Sequence, residues 1–275
     1  MGRDELLRAV IGGSSRAARR VLRLARHLPH DAYYGLSTRN YRHRGILTRK
    51  RVREGSFRSY ELYDRHGNDW LLDALLDRCW DDDCVVDVGA NTGVYALSVA
   101  AERPEASVVA IEPDPRTVDR LRANVEASGF DDRIELLPIG LGAEPTTLPF
   151  YRSNYHELSS FNRYNAERWE ARVVGVEGIS VETLDGLVAD GEIPPPDHLK
   201  IDVEGFGREV LEGAHETLAT HRPFVYVEPH ATHEDERDRT GSAAVGIRAI
   251  LEEHDYAIIP GEDAWVCVPE TEADA

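Results

Sequence analysis

Lysine is almost missing from this 275-residue chain: Lys50 and Lys200 are the only two, so 30 of its 32 basic residues are arginine. Cysteine is scarce as well. Cys79, Cys84 and Cys267 have no metal-ligand spacing, and an odd, scattered count excludes a disulfide framework, so they read as ordinary buried thiols. No apolar run approaches the roughly 18 residues that cross a bilayer, and no charged-then-apolar leader with a cleavage site is present. These absences point to a soluble, cytoplasmic protein. At 41% hydrophobic residues, the chain still has enough apolar surface to bury a full core in one large domain with a short appendage.

What abounds is acid. The net charge is −18, yet the segment through Arg58 holds 15 Lys and Arg against 4 Asp and Glu, a balance of +11 set against −29 for the rest. The chain therefore divides into a basic arm, residues 1–58, and an acidic body, residues 59–275. Dense carboxylates with little lysine suit a halophilic source, where they keep a surface hydrated in high salt. Within the arm, residues 4 to 28 place leucine, valine, isoleucine and alanine at helical spacing, interleaved with Arg16, Arg19, Arg20, Arg23 and Arg26; Gly12-Gly13-Ser14-Ser15 splits them into two helices. Such a basic amphipathic arm can lie peripherally on the anionic inner face of a membrane or grip phosphates. It can equally pack on the body, its arginines pairing the acidic surface.

From Tyr60 the pattern changes. After a helix in GNDWLLDALLDRCW, apolar runs at Cys84 to Val88, Ser107 to Glu112, Ile134 to Ile139, His198 to Val203 and Phe224 to Glu228 read as strands. Val94 to Glu102, Pro115 to Ser128 and Phe206 to Thr220 read as helices between them. Near-continuous apolar strands alternating with helices predict an α/β, doubly wound, mainly parallel sheet covered on both faces. The end of the chain, YAIIPGEDAWVCVPE, predicts a hairpin turning around Gly261 to Ala264 that runs one strand antiparallel.

The first strand leads into DVGANTGVYA, Asp87 to Ala96. A dinucleotide fingerprint has glycine at its first, third and sixth positions; here those are Gly89, Asn91 and Val94, so two of three fail. The remaining acid-Gly-x-Asn-x-Gly pattern predicts a nucleoside site without a pyrophosphate cradle. Glu112, 23 residues past Gly89 at the tip of the next strand, is placed to accept from both ribose hydroxyls, and Asp114 with Pro115 starts the following helix.

In this order, DVGANTGVYAL, IEPDP, VETLDGL, LKIDVEGFGREVLEGA and VYVEPH resemble the FkbM family of S-adenosylmethionine-dependent methyltransferases, over about Tyr60 to His230. The resemblance implies a seven-stranded Rossmann-like methyltransferase sheet, S-adenosyl-L-methionine as cofactor and methyl transfer to an oxygen. It also implies that Asp87, Gly89, Asn91 and Gly93 line the methionine side of the cofactor, that Glu112 holds its ribose, and that Ile139, Gly140 and Leu141 border the adenine. One position departs from the family: Gly207 stands where glutamate is common in VEG-x-E.

Methyl transfer needs acceptor and donor aligned, and a hydroxyl acceptor benefits from a base. Asp202 and Glu204 are two apart, as are Glu228 and His230, so period two sets each pair on one side of its strand. If the strands adjoin, the four converge. His230 then serves as a base with a pKa near neutrality, oriented by a carboxylate; alternatively Asp202, Glu204 and Glu228 hold a divalent cation. The metal-independent chemistry is preferred. Glu204, just ahead of a helix, has a capping role as its plain alternative, Lys200 reads as a structural or cofactor-side contact, and His215 and His221 read as solvated.

The insert between the third and fourth strands, Tyr151 to Arg172, offers Tyr155, Phe161, Tyr164 and Trp169 with Arg152, His156 and Arg163, a set suited to a lid over a sugar-like acceptor or to a surface loop packing its own aromatics. The leading expectation is an O-methyltransferase acting on a hydroxyl or carboxylate of a glycan-like or related small molecule. RNA methylation is the alternative enzyme reading, disfavoured by the acidic body, and a non-catalytic nucleoside-binding module is the third.

Overall fold

The computed structural model describes residues 32, 34–62, 69–230 and 242–270. The basic amphipathic segment expected over residues 4 to 28 lies outside the described residues. The chain divides into two compact units, Met1–Gly45 and Ile46–Ala275. In the first, residues 34–42 are helical.

The second unit opens with a hairpin of β1 (Thr48–Val52) and β2 (Gly55–Ser59). It packs on the body rather than standing apart. Gly55 N donates to Glu102 Oε1 at 2.5 Å, and Arg58 N and Tyr60 N donate to Ser128 Oγ and Asn124 Oδ1, each at 2.9 Å. A Cβ at Gly55 would lie 2.5 Å from the Ala101 carbonyl, so only glycine permits this approach. The boundary expected at residue 58 thus falls beyond a hairpin that shares the compact unit of the body.

Seven strands form the central sheet: β3 (Cys84–Val88), β4 (Ser107–Ile111), β5 (Ile134–Leu137), β9 (His198–Ile201), β10 (Phe224–Val227), β11 (Tyr256–Pro260) and β12 (Trp265–Pro269). Their order is β11-β12-β10-β9-β3-β4-β5. Every neighbouring pair from β10 to β5 is parallel, and β12 alone runs against them. This is the doubly wound sheet with an antiparallel terminal hairpin that the apolar pattern predicts. Period two divides the strands between two cores: Val85 and Tyr226 belong to one, Cys84, Val86, Val88, Leu199, Ile201, Val225 and Val227 to the other.

Helices cover both faces. On the first lie α1 (Trp70–Leu76), α2 (Val94–Glu102) and α3 (Pro115–Ser128), the last capped by Asp114, opened by Pro115 and closed by Gly129 at φ 72°. The helix expected over Phe206 to Thr220 is instead two, α6 (Gly207–Glu212) and α7 (His215–Thr220), numbered after the short α4 (Arg163–Ala166) and α5 (Leu184–Ala189). The break has a steric cause. A Cβ at Gly213 would lie 2.0 Å from the Gly142 carbonyl, so the chain passes against another backbone at that point and the helical path is interrupted. α8 (Ser242–Glu253) then packs beside α6.

A second sheet departs from the sequence reading. β6 (Gly140–Leu141), β7 (Thr146–Ser153) and β8 (Val173–Glu182) form it in the order β6-β8-β7, with β7 and β8 antiparallel. The stretch read as an open insert is therefore the crown of a long hairpin. Among the described residues, no helix is long and apolar enough to cross a membrane.

Candidate active site

A cavity of about 270 Å³ opens beyond the carboxyl ends of β3, β4, β9 and β10. Its floor is the turn after β3. Gly89 (φ 79°) and Asn91 (φ 50°) both take left-handed backbone. At Gly89 the need is absolute, because a Cβ there would sit 1.9 Å from the Asp202 carbonyl. We expect Gly89→Ala to cost about 2–4 kcal/mol, whereas Gly129→Ala, at φ 72° with nothing within 4 Å, costs only ~1 kcal/mol. Chemical denaturation of the two variants separates the steric cost from the conformational one; equal losses would refute the close approach.

Gly89, Asn91, Glu112, Gly140 and Leu141 all line the cavity, as do Ile139 and Lys200. Asp87 and Gly93 do not. Asp87 is fully buried beneath the floor, paired with Lys200 Nζ at 3.0 Å, and Gly93 packs under the Leu121 side chain as the first residue of the turn into α2. Glu112 is clamped by two main-chain donors, Asn91 N at 3.0 Å and Asp114 N at 2.8 Å. Burial nevertheless pushes its carboxyl up to about 8, beyond what those two bonds and Lys200 counteract. Asn91 Oδ1 is buried with no hydrogen-bond partner among the described residues.

At the other end of the cavity the two strand-end pairs converge. β9 stops at Ile201 and β10 at Val227, so Asp202, Glu204, Glu228 and His230 stand on adjacent loops rather than within the strands. His230 Nε2 lies 2.9 Å from Asp202 Oδ1 and 3.8 Å from Glu228 Oε2, and its Nδ1 lies 3.7 Å from Glu204 Oε2. Both ring nitrogens face carboxylates. Burial alone would lower the imidazole, but the Asp202 hydrogen bond and three negative neighbours raise it to about 9, not to the neutral value expected from the sequence. Burial and the Asp202 charge likewise push Glu228 up to about 7. Glu204 caps no helix; it accepts from Asn165 Nδ2 and meets Arg168, each at 3.4 Å, and burial raises its carboxyl.

The expected lid is divided. Phe161 and His156 line the cavity, and Phe161 sits where a Cβ on Gly140 would be, packed edge-on against Phe150 at 4.9 Å. Tyr155 is buried, Trp169 is 69% exposed, Arg152 pairs with Glu177, and Arg163 pairs with Glu167 away from the cavity. Sequence reasoning passed over Tyr95, whose ring lies 4.7 Å from Lys200 Nζ on the cavity wall. It also read His215 as solvated, whereas His215 Nδ1 meets His254 Nε2 at 2.7 Å. His221 is exposed, as expected.

Residues 87–258, spanning the glycine turn, the carboxylate cluster and the final helix, match the model of the methyltransferase FkbM domain. The chain belongs to the FkbM methyltransferase family. Among its relatives, the hexuronic acid methyltransferase AglP of Haloferax volcanii is 32% identical over 62% of this chain and 66% of its own. The 2-O-methyltransferase NoeI of Sinorhizobium fredii is 30% identical over 56% of this chain and 65% of its own. The match thus covers just under two thirds of either relative. A solved FkbM methyltransferase from Methylobacillus flagellatus aligns at TM-score 0.45, with 19% identity over 70% of this chain and 44% of that one. At the departure from the FkbM pattern, Gly207 opens α6 with Ile247, Ile201 and Val203 as its neighbours.

Proposed function

We propose that this FkbM-family protein transfers a methyl group from S-adenosyl-L-methionine to an oxygen, hydroxyl or carboxylate, of an acidic sugar-like acceptor. The observation that carries the reading is one cavity with two chemically different ends: a glycine turn with Glu112 at one, and an imidazole ringed by carboxylates at the other. The relatives that act on a hexuronic acid and at a 2-O position support the acceptor class.

The donor end fits the cofactor. A buried, half-satisfied Glu112 suits a pair of ribose hydroxyls, Asn91 Oδ1 awaits a donor, and the missing side chains at Gly89 and Gly140 leave backbone and Phe161 to form the walls. When bound, S-adenosylmethionine supplies an electrophilic methyl on a sulfonium. Asp202 would orient His230, which would take the proton of the acceptor hydroxyl. The imidazolium so formed is the state that Asp202, Glu204 and Glu228 stabilise. Lys200 Nζ, 3.7 Å from Asp202, already supplies fixed positive charge to this cluster. That supports metal-independent chemistry, although Asp202, Glu228 and His230 have the donor atoms for a cation.

The test is incubation with methyl-labelled cofactor and uronate-bearing oligosaccharides, followed by mass analysis of the product, with calorimetry for S-adenosylmethionine and NAD alongside. Methyl gain by the saccharide is expected. Binding of NAD alone would overturn the reading.

A further inference from the structure

The amino ends of the central strands, opposite the cavity, hold a second group of donors. Cys79 follows α1, Asp83 precedes β3, and His198 begins β9; one donor atom from each lies within 4.8 Å of the other two. Cys79 and His198 are buried, while the Asp83 side chain keeps 16% of its exposure. His198 Nε2 lies 2.9 Å from Asp83 Oδ2, and His198 Nδ1 lies 3.2 Å from the hydroxyl of the fully buried Tyr226.

We propose that Cys79, Asp83 and His198 form a site for a thiophilic divalent cation of the zinc class, with Tyr226 fixing the imidazole and a solvent molecule completing the shell beside Asp83.

The donor set carries the choice of ion. Sulfur, imidazole nitrogen and one carboxylate oxygen are the ligands of tetrahedral zinc, whereas calcium and magnesium take oxygen alone. Bonds of about 2.0–2.3 Å to a shared ion set tetrahedral ligand atoms about 3.3–3.8 Å apart. The three donors lie within 4.8 Å of one another, so the thiol draws in and the 2.9 Å Asp83–His198 contact opens to admit an ion. A metal-bound histidine typically donates its second ring N–H to an oxygen that holds the ring. Tyr226 is placed for that.

Charge points the same way. The guanidinium of Arg103 is held on the main-chain oxygens of Cys79 and Leu76. On binding, the thiol releases its proton, the imidazole proton moves from Nε2 to Nδ1, and one thiolate with one carboxylate balances a charge of +2. The ion would tie the loop after α1 to the starts of β3 and β9.

The test uses the full chain, stripped with chelator and titrated with Co²⁺. Expected are a thiolate-to-cobalt charge-transfer band with tetrahedral visible bands, saturation at one equivalent, one proton released per ion, and a raised melting temperature. Cys79→Ser should abolish the charge-transfer band, and His198→Gln should weaken binding at least tenfold. Cys84→Ser and Asp202→Asn should leave the band intact, which separates this site from the carboxylate cluster of the cavity. No charge-transfer band in the wild-type chain overturns the proposal, and so does a band that survives in Cys79→Ser. Because the wild-type titration decides by itself, a variant that fails to fold does not shelter the idea.

Discussion

Replacing His230 with alanine is expected to lower turnover by about 10²–10⁴-fold while leaving affinity for S-adenosylmethionine within a few-fold, since the donor end of the cavity is built from other residues. The pH dependence makes the test specific. With the imidazole raised to about 9, roughly one molecule in a hundred carries the neutral base at pH 7, so the rate should climb with pH and level off above about 9. That limb should vanish in His230→Ala, and Asp202→Asn should move it down in pH by removing the largest positive contribution. The stability linkage has the opposite direction. A folded-state pKa above the ordinary histidine value means that the Asp202–His230 pair stabilises the fold fully below about 6.5 and is lost as pH rises through about 9. Undiminished turnover in His230→Ala would remove His230 from the chemistry, and a limb near 6.5 would show that the surrounding carboxylates do not raise it.

The second large effect is thermodynamic. Lys200 stands opposite Asp87 in the parallel register of β3 and β9, with Nζ 3.0 Å from that carboxylate, 3.3 Å from the Gly89 carbonyl and 4.7 Å from the Tyr95 ring. Both members of the pair are almost wholly buried. Lys200→Ala strands the Asp87 charge in the core, at an expected cost of about 3–5 kcal/mol, read as a fall in the urea midpoint at unchanged slope. The double variant Asp87→Leu with Lys200→Met should recover most of that loss, because apolar groups of similar volume avoid the desolvation altogether. A loss below ~1 kcal/mol in Lys200→Ala would show that the pair does not hold the two strand ends together. Through Lys200, which also donates to the Gly89 carbonyl, Asp87 is linked to the glycine turn above it.

These two sites mark where sequence reading reached and where it stopped. The parallel sheet was legible because its strands are apolar at nearly every position, as burial on two faces demands: all five residues of Cys84–Val88 are buried. The hairpin β7–β8 was not, because one of its faces is open. Val174 and Val176 are each 53% exposed, and Gly175, Glu177 and Gly178 break the apolar alternation that a strand reading needs. The helix break at Gly213 depends on a backbone 71 residues earlier, Gly142, which no local pattern reveals. The convergence of Asp202, Glu204, Glu228 and His230 comes from β9 and β10 being neighbours, since all four stand on the loops after those strands, where the period of two no longer holds. The basicity of His230 was not legible, since it is set by how many carboxylates surround the ring. Asp87 and Gly93 carry the family pattern yet sit under the cavity floor, for a motif records which residues a turn needs without saying which of them touch a ligand.

The hairpin crown touches both ends of the cavity at once. Phe161 occupies the space that a side chain at Gly140 would fill, while its neighbour Ser160 donates to the Glu204 carbonyl at 2.6 Å and Asn165 reaches the Glu204 carboxylate. On the proposed function, donor pocket and acceptor mouth therefore share one wall. A relative that changes this crown to admit a different acceptor inherits a change in how it grips the donor, so the two specificities of this architecture must drift together rather than separately.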